Sequence, residues 1–99
     1  MKKDDLIASI MGVLQVGKEN AISFRELANR SDLSLGKLAN AISYANKEFC
    51  IIKDENGYYL PENVQDAKKF YFNEVNFNKN QYKKLKGTRD YIIDQEKLA

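Results

Sequence analysis

The hydrophobic pattern changes period twice, from helix to strand and back. Leu6, Ile7, Ile10, Met11 and Leu14 recur at helical spacing with Val13 beside them, which predicts a first helix over about 5–16. Asp4 or Asp5 suits its start, where a carboxylate caps free N–H groups and meets the positive end of the helix dipole. Gly17 suits the left-handed position past its end. "KENAI" then forms a turn and a very short extended piece around Ile22. "SFRE" (23–26) reads as a capping box, in which Ser23 accepts from the amide of Glu26 and Glu26 reaches back to the amide of Ser23. The helix it opens is short, because "RSDLS" (30–34) turns the chain. Leu27 and Ala28 face inward and Leu33 plugs the turn. Ser34 caps a third helix over 34–48, with an apolar stripe of Leu38, Ile42, Ala45 and Phe49.

The period then shortens. "CIIK" and "GYYL" favour strands, and the polar stretch between them ends in Asn56-Gly57, a hairpin signal. Tyr58 and Tyr59 fall on opposite faces of their strand, so one is expected in the core and the other exposed. Three helices with a short turn between the second and third, then a hairpin with Ile22 at its edge, predict a winged helix-turn-helix. The expected fold class is mainly α with a small β-hairpin: a winged-helix domain over 1–61 and a C-terminal helical extension over 62–99.

After Pro61 the helical period returns in Val64, Ala67, Tyr71, Val75, Asn78, Tyr82 and Leu85, with Phe70, Phe72 and Phe77 adding apolar surface. Gly87-Thr88 is expected to break this run, with Thr88 capping a last helix that carries Tyr91, Ile92 and Ile93. The spacing suits a two-stranded helical interface, and the aromatics exceed what one stripe requires. Phe70, Tyr71, Val75, Phe77, Tyr82 and Leu85 are therefore expected to hold a homodimer or a protein partner. The competing expectation is that this helix packs on its own small domain, whose core alone is marginal.

Composition narrows the function classes. Ninety-nine residues with 43% hydrophobic content suit one globular domain and not a disordered chain. The single cysteine, Cys50, permits no internal disulfide and is expected to be a small buried hydrophobe in a cytoplasmic protein. The start "MKKDDLIASIMGVLQVG" is superficially like a signal peptide, but Asp4 and Asp5 interrupt it and no small-residue cleavage site follows. No segment reaches the ~18 apolar residues of a membrane span, so no membrane partner is expected. There is no histidine, which removes histidine-based nucleophilic and acid/base systems and, with one cysteine, ordinary zinc sites. The five glycines fall in no phosphate-cradling pattern. No enzyme activity, catalytic residue, metal or cofactor is expected.

Charge is uneven within a net +2: residues 1–61 carry eight cations against eight acids, residues 62–99 eight against six. Lys79, Lys83, Lys84, Lys86 and Arg89 fall in "NKNQYKKLKGTR" (78–89), which has no acid. With Tyr82 and Leu85 inside it, this run is expected to be a helix with a narrow apolar seam and a cationic flank, which offers a second contact to double-stranded DNA. On the exposed side of the third helix stand Lys37, Asn40, Ser43, Tyr44 and Lys47. Lysine neutralises phosphate and asparagine pairs with adenine, so Lys37, Asn40, Tyr44 and Lys47 are the candidate reading set. Lys53 and Asn56 at the wing and Arg30 on the second helix are the candidate backbone contacts; Asn56 is equally required by the turn.

From residue 7 to about 77 the chain resembles the small winged-helix proteins common in phages and prophages of Gram-positive bacteria. "NAISFRELA" and "LANAISYANKEFCIIKDENGYYLPEN" carry the resemblance. Members often place arginines where this chain has Ala39 and Asn46, and a glycine where it has Phe49. The resemblance implies a DNA-associated role in transcription regulation or in a replication or excision complex. The alternative is a phage-encoded interaction module that acts on a host protein such as a defence nuclease or replication factor.

Overall fold

The computed structural model describes residues 2–98 and is mainly helical, with a small antiparallel sheet. Helix α1 (Lys3–Met11) starts earlier than expected, with Lys2 at its N-cap, no side-chain cap, and Asp4 and Asp5 inside its first turn, and it ends sooner than the period of its apolar residues implies. The amides of Val13 and Leu14 both bond to the Ile10 carbonyl, at 3.0 Å each, and the chain then leaves the helix. The reason is a demand from far along the sequence. The Leu60 amide donates to Gln15 (2.9 Å) and the Gly17 amide to Leu60 (3.0 Å), so residues 15–17 must be extended. Gly17 does have a positive φ of 100°, but before a 3-10 turn at Lys18–Asn20 and not at the end of α1.

Helix α2 (Phe24–Ser31) starts at the expected cap, with the Glu26 amide donating to Ser23 Oγ at 3.2 Å. Asp32 takes a left-handed φ of 58° and ends it. Ser34 caps α3 (Leu35–Ala45) through the Lys37 amide at 3.2 Å. Helix α3 stops three residues before the expected 48. The Phe49 amide closes a turn onto Ala45 (2.8 Å), and the Asn46 carbonyl accepts the Gly87 amide (2.8 Å). Phe49 thus leaves the apolar stripe and is 41% exposed.

The hairpin joins β1 (Ile52–Asp54) to β2 (Gly57–Tyr59), with Lys53 opposite Tyr58. Its turn is set by the Asn56 amide donating to Asp54 Oδ1 at 2.7 Å, and by Gly57 at φ 127°. A side chain at Gly57 would overlap the backbone of Ile22, which crosses there. Ile22 pairs with Tyr58 as expected, through reciprocal bonds of 3.0 and 2.8 Å.

Both tyrosines are buried, contrary to the expectation that one would be exposed. Tyr58 joins the main core, formed with Ile10, Leu27, Leu38 and Ala41 between α1, α2 and α3. Tyr59 joins a second core with Cys50, Ile52 and Ala67, against which Phe70, Tyr91 and Ile92 pack. The second core exists because α4 (Val64–Phe77) and α6 (Lys86–Leu98) cover the other face of the hairpin.

The run 64–85 is not one helix. Asn78 leaves the helical conformation, and its Oδ1 accepts the Asn80 amide at 3.0 Å, a local bond that competes with helix continuation. A single turn, α5 (Gln81–Lys84), follows. Gly87 and Thr88, expected to break the helix, instead lie in the first turn of α6. Gly87 is placed there because α6 abuts the Phe49 backbone and leaves no room for a Cβ. Thr88 is fully buried, its hydroxyl without a hydrogen-bond partner of standard geometry and facing the Cys50 thiol. Among the described residues, no helix is long and apolar enough to cross a membrane.

Gly87→Ala forces the α6 backbone off Phe49 and is expected to destabilise by about 1–3 kcal/mol. Gly36→Ala, on α3 with open space around it, is expected to stabilise by roughly 0.4–1 kcal/mol. Urea unfolding midpoints check both. Burial pushes the Cys50 thiol from 9.0 up to about 11, with the Thr88 hydroxyl offsetting part of the rise. The unfolded thiol therefore ionises first, and the folded state loses stability as pH rises from about 9 to about 11. Cys50→Ala removes that share of the alkaline loss. What remains includes Tyr59, pushed up to about 12 by burial and then by Asp54. Unfolding curves across that pH range in both proteins check this.

Candidate nucleic-acid interface

The outward side of α3 carries Gly36, Lys37, Ala39, Asn40 and Ser43, all exposed. Its N-terminal cap and the turn from α2 fix its start, so Lys37 and Asn40 project from ordered backbone. Lys47 is also exposed, but it lies in the turn after α3 and not in its last helical turn. Tyr44 is half-buried, packs on the main core, and has Lys3 Nζ 5.4 Å from its ring centre. It therefore belongs to the α1–α3 seam more than to the face of Asn40.

Arg30 is bound by its own helix: its Nε lies 2.9 Å from Glu26 Oε1, with both side chains about half exposed. Such an exposed pair is weak and can yield to a phosphate. On the hairpin, Lys53 is exposed, with its Nζ 5.6 Å from the Tyr58 ring centre. Asn56 is exposed, and its amide serves the turn. Asp54 and Glu55 stand beside both, so the tip has no net positive charge.

The basic run does not form one helical face. Lys79 sits in the 78–80 turn, Lys83 and Lys84 on α5, and Lys86 and Arg89 on the first turns of α6. Lys86 is paired with Asp90 at 2.6 Å, and this bond holds the Asp90 carboxyl below the usual carboxylate range. Lys79, Lys83, Lys84 and Arg89 have no carboxylate within 4.0 Å among the described residues.

The aromatic set also divides. Leu85 is buried within the chain and Phe70 is half-buried against the second core, so Leu85 is unavailable to a partner and Phe70 largely committed. Tyr71 and Val75 are half-buried, and the Tyr71 ring meets Phe72 edge-on at 5.7 Å. Phe77 is 93% exposed, Phe72 55% and Tyr82 41%.

A cleft of about 410 Å³ lies between α3, the hairpin and α4, lined by Asn46, Lys53, Tyr58, Phe70, Glu74 and Gln81 among others. Asn46 Oδ1 is buried there without a partner, while Gln81 Nε2 donates to Glu74 at 3.2 Å. A second cleft, of about 310 Å³, sets Lys18, Lys53 and Lys69 against Asp54, Asp66 and Glu74, a balanced charge set with no anion preference. No three His, Cys, Asp or Glu side chains converge as metal ligands among the described residues.

Comparison with protein-family models, with curated proteins and with solved structures yields no match in any of the three. The chain's own geometry therefore carries the functional argument. Three features of it had no sequence signal that reasoning on local patterns could use. These are the burial of Thr88, the seat of Gly87 against Phe49, and the unpartnered Asn46 oxygen. All arise where segments some forty residues apart meet.

The start of α3 depends on Ser34, so Ser34→Ala is expected to cost about 1 kcal/mol. A lowered urea midpoint with unchanged slope checks it.

Proposed function

We propose that the chain is a winged-helix protein that binds double-stranded DNA, with α3 in the major groove and the hairpin on the adjacent backbone. The observation that carries this reading is where the additional helices lie. Helices α4 and α6 pack on the Tyr59 face of the hairpin, and the outward side of α3 and the hairpin tip remain uncovered. Three helices, a three-residue turn before α3 and the Ile22–Tyr58 pairing support the winged-helix assignment. Lys37, Lys47 and Lys53 supply phosphate contacts, Arg30 a further one once released from Glu26, and Asn40 the base contact. Tyr44 and Asn56 have smaller parts, for the packing reasons given. Lys79, Lys83, Lys84 and Arg89 add sequence-independent affinity. In this reading the protein acts in the cytoplasm, as a transcription regulator or an accessory factor in replication or excision of a phage or mobile element.

A second reading is favoured by one observation. Phe72, Phe77, Tyr82 and Ile93 are large apolar side chains left exposed on the C-terminal helices. They suit a second copy of the chain or a host protein, as in a phage-encoded module that modulates a host enzyme.

Fluorescence anisotropy with a labelled duplex at two salt concentrations tests the first reading. Lys37→Ala with Lys47→Ala is expected to weaken binding at all sequences and to reduce the salt slope by about 2. Asn40→Ala is expected to relax preference at one base position, by about 1–3 kcal/mol. Unchanged affinity in both variants overturns the proposed docking. Light scattering of the free protein separates monomer from dimer.

A further inference from the structure

The corner where α4 hands over to α5 is built differently from the rest of the surface. Phe77 is 93% exposed at the last position of α4 and contributes almost no burial to the fold. Burying a phenylalanine is worth about 1.5–3 kcal/mol, so folding stability gives no reason for this one. Five residues on, Tyr82 is 41% exposed, with Lys83 Nζ 5.9 Å from its ring centre. Lys79, between the two aromatics in the chain, and Lys84, two residues past Tyr82, are exposed and have no carboxylate within 4.0 Å among the described residues. Asn76 and Asn80, beside them in the chain, are also exposed.

Acid is scarce at this corner. Residues 75–89 contain none; of the two that bound the stretch, Glu74 is half-buried and accepts the Gln81 side chain, and Asp90 is paired with Lys86. The corner is also held in shape. The Asn78 amide donates to Glu74 O, the Gln81 amide to Asn78 O, and the Asn80 amide to Asn78 Oδ1, all at 3.0 Å.

We infer that this corner binds single-stranded nucleic acid, with Phe77 and Tyr82 as stacking platforms for bases and Lys79, Lys83 and Lys84 as phosphate partners. The charge complement demands an anionic ligand. Asn78, Lys79, Asn80 and Gln81 separate Phe77 from Tyr82 along the chain and the two rings form no aromatic pair among the described residues, a pattern that does not suit the continuous apolar trough an acidic amphipathic helix requires. Bases meet that arrangement one at a time: each has a π-face for a ring, edges for Asn76 and Asn80, and a phosphate for a lysine. In a duplex the faces are stacked away, so the corner distinguishes unpaired from paired strands. This goes beyond the duplex contact through α3: Lys79, Lys83 and Lys84 serve both readings, whereas the stacking rings Phe77 and Tyr82 belong to the single-strand site alone.

The test is fluorescence anisotropy of the full chain with three labelled ligands. They are an oligothymidylate of about 20 nucleotides, longer than typical single-strand sites, an abasic deoxyribose-phosphate strand of equal length, and a duplex. The expected result is salt-sensitive binding to oligothymidylate, clearly weaker binding to the abasic strand, and roughly a tenfold loss of oligothymidylate affinity in Phe77→Ala and in Tyr82→Ala. Both side chains are exposed, so folding is expected to survive, and circular dichroism verifies it. Duplex affinity is expected to stay unchanged in both variants. The inference is overturned if the oligothymidylate does not bind, if the abasic strand binds equally well, or if Phe77→Ala leaves affinity unaltered. It is likewise overturned if the variants lose duplex and single-strand binding together. Failure of the α3 reading registers separately, as a duplex affinity indifferent to Lys37→Ala with Lys47→Ala.

Discussion

The hairpin is buried on both faces, and the rest of the molecule is arranged around that fact. A two-stranded hairpin is at best marginally stable alone. Here the two-residue period of β2 sends Tyr58 into the α1–α3 core and Tyr59 into the core under α4 and α6. The strands thus serve as the middle layer of a three-layer body. Ile22 adds a single rung at the edge, and Gly57 is the residue that lets the Ile22 backbone pass. Remove either core and the hairpin keeps only half of its support.

This layering also divides the surface. Helices α4 and α6 lie on one side of the sheet and α3 on the other, so the added helices stabilise the small domain without covering the outward face of α3. The two sides also touch where the Gly87 amide reaches the Asn46 carbonyl and α6 abuts the Phe49 backbone. The end of α3 is therefore set by α6. Lys47 sits in a turn whose shape depends on residues forty positions later, and movement of the C-terminal helices would reach the candidate interface through this contact. Charge is divided in parallel. The α3 face has two lysines and a polar, small-residue surface, whereas the α4–α5 corner carries Lys79, Lys83 and Lys84 within six residues of chain.

Several elements were legible from short-range chemistry alone. The Ser23 and Ser34 caps, Leu33 in the turn and the Asn56-Gly57 hairpin all depend on neighbours within a few residues. The candidate site was legible to the same depth: exposure of Lys37, Asn40 and Lys47 follows from the apolar stripe opposite them. The contact of Lys3 with Tyr44, between α1 and α3, was not legible from local pattern, whereas Arg30 with Glu26 is an i,i+4 helix pair of the kind local pattern does offer. The apolar period of 64–85 ran on through a real break, because periodicity registers which side chains are apolar and not whether Asn78 prefers its own bond.

The sequence by itself determined the order of the first three helices and the strands, the Ser23 and Ser34 caps, the hairpin turn and the uneven charge. Each of these is decided within one or two turns of chain. Only the tertiary structure decided where α1 and α3 stop, that both Tyr58 and Tyr59 are buried, that Gly87 and Thr88 begin a helix, and that Leu85 is inside while Phe77 is out. Those outcomes depend on backbone bonds and packing between segments distant in sequence. A residue whose local preferences permit two states takes the one that leaves the distant partner's polar groups bonded and its apolar surface covered.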